Sequence, residues 1–387
     1  MMATAALLAL LLSLLAPGAS PPPSPSPRRV PVFSAGLGGI QCFRIPAIVP
    51  AASGALVAFA EARPGVCKDD WLSLHIASRR STDAGRTWSP LALIAGNASH
   101  RANTPMAFSV RATPSEPETL RVTFSLCPAE TCHKAPPIGN GMVSSTDGGM
   151  SWGDTVDLSA EFGAAKGWPT GPGSGIQLRE GGPKAGRLIA TAHTGSAVDT
   201  DFILISDDRG AHWRVINQTI HPADESMVTE LPSGVLLLNA RHNSVKRTGR
   251  AISLSTTYGE SWGPVTYDER LTGEICQASI VTFNSTPTGP LVTYFSNPRT
   301  PGRLNLSIRK VRPPPSHPWP AQLHLAMFLK VGHRRCSLTD CACGRSRWMV
   351  VPRSRTARFW SRQRTTTATR AWLARLCVHK QSFVARL

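Results

Sequence analysis

The sequence predicts an all-β fold assembled from copies of one unit, a β-propeller, and three observations predict it. An eight-residue phrase, Ser-x-Asp-x-Gly-x-(Thr/Ser)-Trp, is written four times: Ser81 to Trp88, Ser145 to Trp152, Ser206 to Trp213 and Ser255 to Trp262. The copies start 64, 61 and 49 residues apart, close to the repeat of propeller blades, roughly 40–60 residues. Strand-like runs precede the boxes: Leu74-His75-Ile76-Ala77, Phe202-Ile203-Leu204-Ile205 and Ala251-Ile252-Ser253-Leu254. Unrelated hairpins in a β-sandwich are the alternative. One box would leave the two architectures level, and fourfold recurrence sets the propeller ahead.

Each position of the box has a physical task. Ser and Asp side chains bond backbone groups a residue or two along and hold a turn. Gly accepts the positive φ that tight hairpin turns need, and Trp anchors the hairpin in an apolar layer. The third copy has His212 at the seventh position, and the fourth has Thr257 where Asp belongs.

From the N-terminus, Ala5 to Ala16 is a short Leu-rich apolar run, and Pro17-Gly18-Ala19-Ser20 offers small residues for cleavage. Residues 1–20 therefore read as a secretory signal, too short for a convincing transmembrane helix. Residues 21–30, rich in Pro and Ser, read as an extended linker. In an oxidising compartment the nine cysteines suggest disulfides. Cys127 and Cys132 are close enough to staple a loop, whereas Cys42, Cys67 and Cys276 have no evident partner. Cys341-Ala342-Cys343 lacks a second cysteine-histidine cluster at zinc spacing, so no metal is expected. Asn97, Asn217, Asn284 and Asn305 each open an N-glycosylation sequon.

The net charge of +18 resembles a nucleic-acid signal, but its distribution argues against that partner. Residues 311–387 hold 15 Lys or Arg against one acid, Asp340, leaving 27 basic and 23 acidic residues for the rest. The excess thus belongs mostly to residues 313–387, an Arg-rich segment without clean periodicity. That segment reads either as a basic arm for polyanions or membranes, or as an out-of-frame replacement of a last blade. The second is preferred, because the repeat architecture stops abruptly.

The chemistry-bearing residues begin with Phe43-Arg44-Ile45-Pro46. Followed by repeated boxes, this segment resembles the sialidases, six-bladed propellers that remove terminal sialic acid. The resemblance continues through Ala60-Glu61-Ala62-Arg63, Gly171 to Gln177, Glu230 to Gly234, Asn239-Ala240-Arg241 and Phe295-Ser296-Asn297-Pro298. It covers residues 31–312. The segment around Gly171 and the Cys127/Cys132 pair look most like the animal lysosomal sialidase, and Lys68-Asp69-Asp70-Trp71 looks more bacterial.

The resemblance implies a retaining exo-α-sialidase, without metal or other cofactor, acting on glycoproteins, glycolipids and oligosaccharides. Membrane-associated substrates and a lysosomal or extracellular location on the secretory route are implied with it. Three arginines would grip the substrate carboxylate, a group that guanidinium forks recognise at any working pH. Arg44, Arg241 and Arg303 match them, with Arg299 and Arg309 as competitors for the third place. Arg63 matches a further substrate contact.

Asp70 matches the acid/base aspartate, with Asp69 one register away. Glu225 matches the glutamate that takes a proton from the family's tyrosine nucleophile; Glu230 reads as a strand edge. Here the chain departs from the pattern. Its tyrosines are Tyr258, Tyr267 and Tyr294, and none follows Arg303. The expectation is a six-bladed ring with its last blade replaced or incomplete, lacking its nucleophile. An inactive glycan-binding lectin module is the alternative.

Overall fold

The computed structural model describes residues 29–65, 67, 75–129, 139–194, 199–243, 249–271, 275–284, 288–300, 303–312, 324–330 and 383–386. Strand β1 (Arg29–Phe33) precedes blade I, which contains β2 (Cys42–Pro50), β3 (Leu56–Arg63), β4 (His75–Ser81) and β5 (Ala92–Ala95). Blade II contains β6 (His100–Val110), β7 (Thr119–Pro128), β8 (Gly139–Ser145) and β9 (Val156–Asp157). The short β10 (Gly173–Ser174) adds to β6 in parallel. Blade III is β11 (Ile176–Gln177), β12 (Leu188–His193), β13 (Asp201–Ser206) and β14 (Arg214–Ile220). Blade IV is β15 (Asp224–Glu230), β16 (Leu236–Arg241), β17 (Arg250–Ser255) and β18 (Thr266–Asp268).

Blade V is β19 (Ser279–Asn284), β20 (Leu291–Thr300), β21 (Leu304–Arg312) and β22 (His324–Lys330). Strand β22 lies beyond residue 312, where the sequence changes character, and pairs antiparallel with β21. Strand β23 (Phe383–Arg386) pairs antiparallel with β1, so segments near both ends of the chain share one two-stranded sheet. The described residues thus form a β-propeller of five blades, four of four strands and blade II of five, plus this pair. Among them no helix is long and apolar enough to cross a membrane.

Face-to-face packing of successive blades makes the core. Val57 and Phe59 of blade I meet Leu120, Val122 and Phe124 of blade II. Blades II and III share Phe108, Met142, Leu188 and Leu204, and blades III and IV share Ile189, Ile205, Leu236 and Leu238. Every residue of β3 is buried, because its sheet is covered on both faces.

The four boxes lie where the sequence places them, each in the turn between the third and fourth strands of a blade. In the first, Ser81 Oγ donates to Asp83 Oδ1 at 2.8 Å and accepts Gly85 N at 2.7 Å. Asp83 also accepts Thr87 N at 2.9 Å and Thr87 Oγ1 at 2.7 Å. Gly85 has φ 84°, in the left-handed region that a side chain would strain. In the fourth box Thr257 Oγ1 replaces the carboxylate and accepts Ser261 N at 2.9 Å, which explains how that turn survives without Asp.

The box tryptophans bind each blade to the one before it. Trp152 of blade II meets Phe59 of blade I edge-on at 5.4 Å, and Trp213 of blade III meets Phe108 of blade II at 5.5 Å. Arginines add to the clasp. Arg80 Nε donates to the Gly148 carbonyl of the next box at 2.9 Å, and Arg187 Nη1 donates to the Tyr258 carbonyl at 3.0 Å.

The cysteines correct one expectation. Cys42 and Cys67 form a disulfide, although neither has an evident partner in the sequence. The pairing of β2 with β3 sets Cys42 opposite Arg63, four residues before Cys67, and that register brings the two together. Cys127 is disulfide-bonded, and Cys132 lies outside the described residues.

Candidate active site

The site is built at the blade end opposite the boxes, where first strands begin and second strands turn into third. In blade I, β2 carries a bulge between Arg44 and Ala47, with Ile45 at φ 51°. A bulge of this kind bends a strand and re-aims its side chains. Arg44 stands opposite Glu61 on β3 and is half-buried. Burial first, then the nearby charge of Arg63, pull its guanidinium below its ordinary pKa, and Arg303 acts in the same sense. Arginines from blades I and V therefore share one electrostatic neighbourhood.

Arg63, at the end of β3, is 4% exposed and donates through Nε to Glu61 Oε2 at 3.0 Å. The other oxygen of Glu61 accepts the backbone N–H of Thr104 at 2.8 Å. This buried carboxylate holds Arg63 in place and ties blade I to blade II.

Blade IV supplies the second half of the site by the same device. A bulge between Asp224 and Ser226 sets Glu225 apart at the start of β15, and Arg241 ends β16 opposite Asp224. Arg241 Nη1 donates to Glu225 Oε2 at 2.8 Å, while its Nε and Nη2 donate to Asn243 Oδ1 at 3.2 and 3.0 Å. Burial pulls the Arg241 guanidinium down, but Glu225 and Asp224 outweigh burial and hold it above its ordinary value.

Arg303 lies in the turn between β20 and β21 with φ 58°, and its Nη2 donates to the Ile275 carbonyl at 3.0 Å. Its two competitors are placed differently. Arg309 is fully buried within β21, donating to the Arg270 carbonyl at 3.0 Å, with its guanidinium over Phe295. Arg299 is exposed.

Cys276, a free cysteine, is half-buried beside this cluster; burial pushes its thiol up, against the pull of Arg303. Arg250, 3% exposed, donates to the Cys276 carbonyl at 2.7 Å, and burial pushes its guanidinium down to about 10.

Asp69 and Asp70 lie outside the described residues. The three tyrosines lie elsewhere. Tyr258 is inside the fourth box, and Tyr267 on β18 meets the His242 ring edge-on at 5.1 Å. Tyr294 stacks on Phe283 at 5.2 Å, and burial raises its phenol. Tyr294 is six residues before Thr300 on β20, about 20 Å along the strand from the turn that holds Arg303.

Sequence reasoning missed a layer behind Arg241. His193 Nδ1 lies 2.7 Å from Asp224 Oδ1, and both side chains are buried. Asp201 faces His193 across the β12/β13 pair and is fully buried. Asn243 Nδ2 donates to Asp224 Oδ2 at 2.8 Å, and Asn243 N donates to Asp199 Oδ2 at 2.8 Å. Among the described residues no group of three His, Cys, Asp or Glu is arranged to hold a metal ion.

Chemically, the arrangement is a cluster of guanidinium groups with the carboxylates of Glu61, Asp224 and Glu225 among them. It can receive an anionic ligand and can move a proton at Glu225 Oε2 if Arg241 yields its contact.

A model of the BNR repeat-like domain matches residues 54–326. The sialidase of Micromonospora viridifaciens is 33% identical over 281 residues, covering 67% of this chain and 42% of that protein. Human sialidase-4 is 30% identical over 298 residues, covering 67% and 57%. The chain thus spans about half the length of these curated relatives.

Among solved structures, a leech intramolecular trans-sialidase superposes with TM-score 0.66 at 18% identity, over 79% of this chain and 64% of that one. A Hadza microbial sialidase does so with TM-score 0.61 at 23% identity, over 73% and 58%. These two share the propeller fold. With its boxes, its blades and the matched repeat domain, the chain belongs to the sialidase family of BNR-repeat proteins.

Proposed function

We propose that this chain recognises the terminal sialic acid of glycoproteins, glycolipids and oligosaccharides, with a site of the retaining exo-α-sialidase type. The observation that carries this reading is the shared electrostatic neighbourhood of Arg44, Arg63, Arg303 and Glu225, with Arg241 paired to Glu225. Arg44, Arg241 and Arg303 would hold the sugar carboxylate, and Arg63 would make a further contact. Asp70 would protonate the leaving oxygen and then activate water, and Glu225 would take the phenol proton of a tyrosine nucleophile, a partner that no tyrosine after Arg303 supplies in this sequence.

A propeller of six blades, the sixth begun by the β1/β23 pair, belongs to the same proposal. So do entry into the secretory pathway, with a lysosomal or extracellular destination, and action on membrane-associated glycolipids.

A second reading has its own support. No tyrosine follows Arg303 in the sequence; Tyr258 and Tyr267 pack into the core between blades III and IV, and Tyr294 packs against its own blade. A chain that grips the carboxylate without a nucleophile is a lectin for sialylated glycans. Calorimetry with 3′-sialyllactose, run beside an assay for free sialic acid, separates the two. Binding with release supports the hydrolase, and binding without release supports the lectin. If the full chain binds no sialoside at millimolar concentration, both readings fail.

A further inference from the structure

The layer behind Arg241 buries several charged groups, among them Asp201, Asp224, His193 and Arg250. Its members come from separate elements of two blades. His193 ends β12, Asp201 begins β13, Asp199 precedes Asp201, and Asp224 and Glu225 begin β15. Arg241 ends β16, and Asn243 follows it. Arg250 on β17 and Cys276 ahead of β19 complete the titratable neighbours.

The contacts run in one direction. His193 meets Asp224 Oδ1 at 2.7 Å, and Asp224 Oδ2 accepts Asn243 Nδ2 at 2.8 Å and lies 3.4 Å from Arg241 Nε. Arg241 in turn holds Glu225 at 2.8 Å.

We infer that His193 and Asp201 are positioning residues for the Arg241–Glu225 pair, acting through Asp224 so that capture of an anionic ligand is strongest at acid pH. This inference rests on the proposed carboxylate-binding role of Arg241. In acid the cluster holds a protonated Asp201, an imidazolium at His193 and an ionised Asp224. His193 then neutralises Asp224, and the charge of Arg241 is left for Glu225 and an incoming carboxylate. As pH rises, the cluster loses a proton and gains one net negative charge behind Arg241. That charge draws Arg241 back and lowers the positive potential that the ligand meets.

The titration falls in the right window. Burial pushes the Asp201 carboxyl up to about 7. Burial pulls His193 down, but its contact with Asp224 outweighs burial and raises it above its ordinary value. Asp224 is held down to about 2: burial raises it, and His193 and Asn243 overcome that. The two upper titrations belong to the coupled group rather than to either residue alone. The ligand carboxylate stays ionised throughout the window, so a change in affinity reports on the protein.

The test uses the full chain with 3′-sialyllactose at pH 5.5 to 8.0, as wild type, Asp201→Asn and His193→Gln. For the wild type, Kd should weaken by roughly tenfold across the range, the effect of one added charge at this depth. Asp201→Asn, fixed in the neutral form, should flatten that slope and keep the acid-form affinity to higher pH. His193→Gln should bind weakly at pH 5.5, because Asp224 then competes for Arg241.

A flat wild-type profile, or an Asp201→Asn profile that tracks the wild type, overturns the inference. Absence of binding at every pH defeats the carboxylate-binding reading instead. The inference is then judged on the free protein. The Arg241 15Nε resonance should shift between pH 6 and 8 in the wild type and stay still in Asp201→Asn. A resonance that moves equally in both, or in neither, overturns it.

Discussion

Removing Arg241 should damage the protein twice, and the two losses can be measured apart. The guanidinium makes one contact of 2.8 Å to Glu225 and two of 3.0 and 3.2 Å to Asn243. A charge pair with centres about 4 Å apart is worth about 4 kcal/mol at an effective dielectric near 20. Both side chains of the Glu225 pair are 18% exposed, so water screening brings the net contribution to about 2–3 kcal/mol. Loss of the Asn243 contacts adds about 1 kcal/mol. Arg241→Ala should therefore lower unfolding stability by about 3–4 kcal/mol.

Glu225→Gln should lower it by about 2 kcal/mol, and the double variant by about as much as Arg241→Ala alone, since most of the Glu225 contribution is already gone. Urea unfolding midpoints give all three values. The coupling should be about 2 kcal/mol. Additive effects, within about 0.5 kcal/mol, would refute the pairing. Separately, loss of one guanidinium fork should weaken sialoside binding by about a hundredfold. A variant that folds and binds like the wild type would remove Arg241 from the site.

Three further outcomes follow from the geometry. Asp147 in the second box accepts Met150 N, Ser151 N and the hydroxyls of Ser145 and Ser151, so Asp147→Ala should cost about 2–3 kcal/mol and Thr257→Asp should not destabilise; equal unfolding midpoints for Asp147→Ala and wild type would dismiss the box as a structural device. The box carboxylates also set an acid limit. Asp83 is lowered to about 2 by the backbone and hydroxyl of Thr87, so its contribution is present above the unfolded carboxylate range and lost as pH falls toward 2; a thermal midpoint that holds constant from pH 4.5 to 2.5 contradicts this. The Cys42–Cys67 bridge closes a separation of 25 residues and should contribute about 3.5 kcal/mol, seen as a lower urea midpoint in Cys42→Ser; no change would mean that the pairing is not made in solution.

The fold was legible because its signal is local and repeated. Each box carries its own turn chemistry within eight residues, and Thr257 could be recognised as a variant because Ser255, Gly259, Ser261 and Trp262 kept their register. Blade V shows the limit. No box was written for it, so nothing in the sequence marked β22 as its fourth strand; the pairing with β21 supplied that.

The site divides the same way. Arg44, Arg63, Glu225 and Arg241 stand in short motifs, and the bulges at Ile45 and Glu225 explain why those motifs project from their strands. His193 gave no signal. It ends the strand Leu188–His193 and its partner Asp224 is 31 positions away, so only the packing of blade III on blade IV creates the pair. The Cys42–Cys67 bridge was hidden for the same reason, being a product of strand register rather than spacing.

The position of the boxes has an evolutionary consequence. The tryptophan and arginine clasps sit in the turns between third and fourth strands, while the candidate-site residues come from strand starts and from turns at the other end. The box clasps and the candidate site thus occupy opposite rims of the same sheets, although Glu61 and Asp224 add ties between blades on the second rim. Turns on the candidate-site rim can change length or composition without loosening the box clasps. Lineages built on this scaffold can therefore trade one ligand or reaction for another by rewriting one rim, while inheriting the other intact.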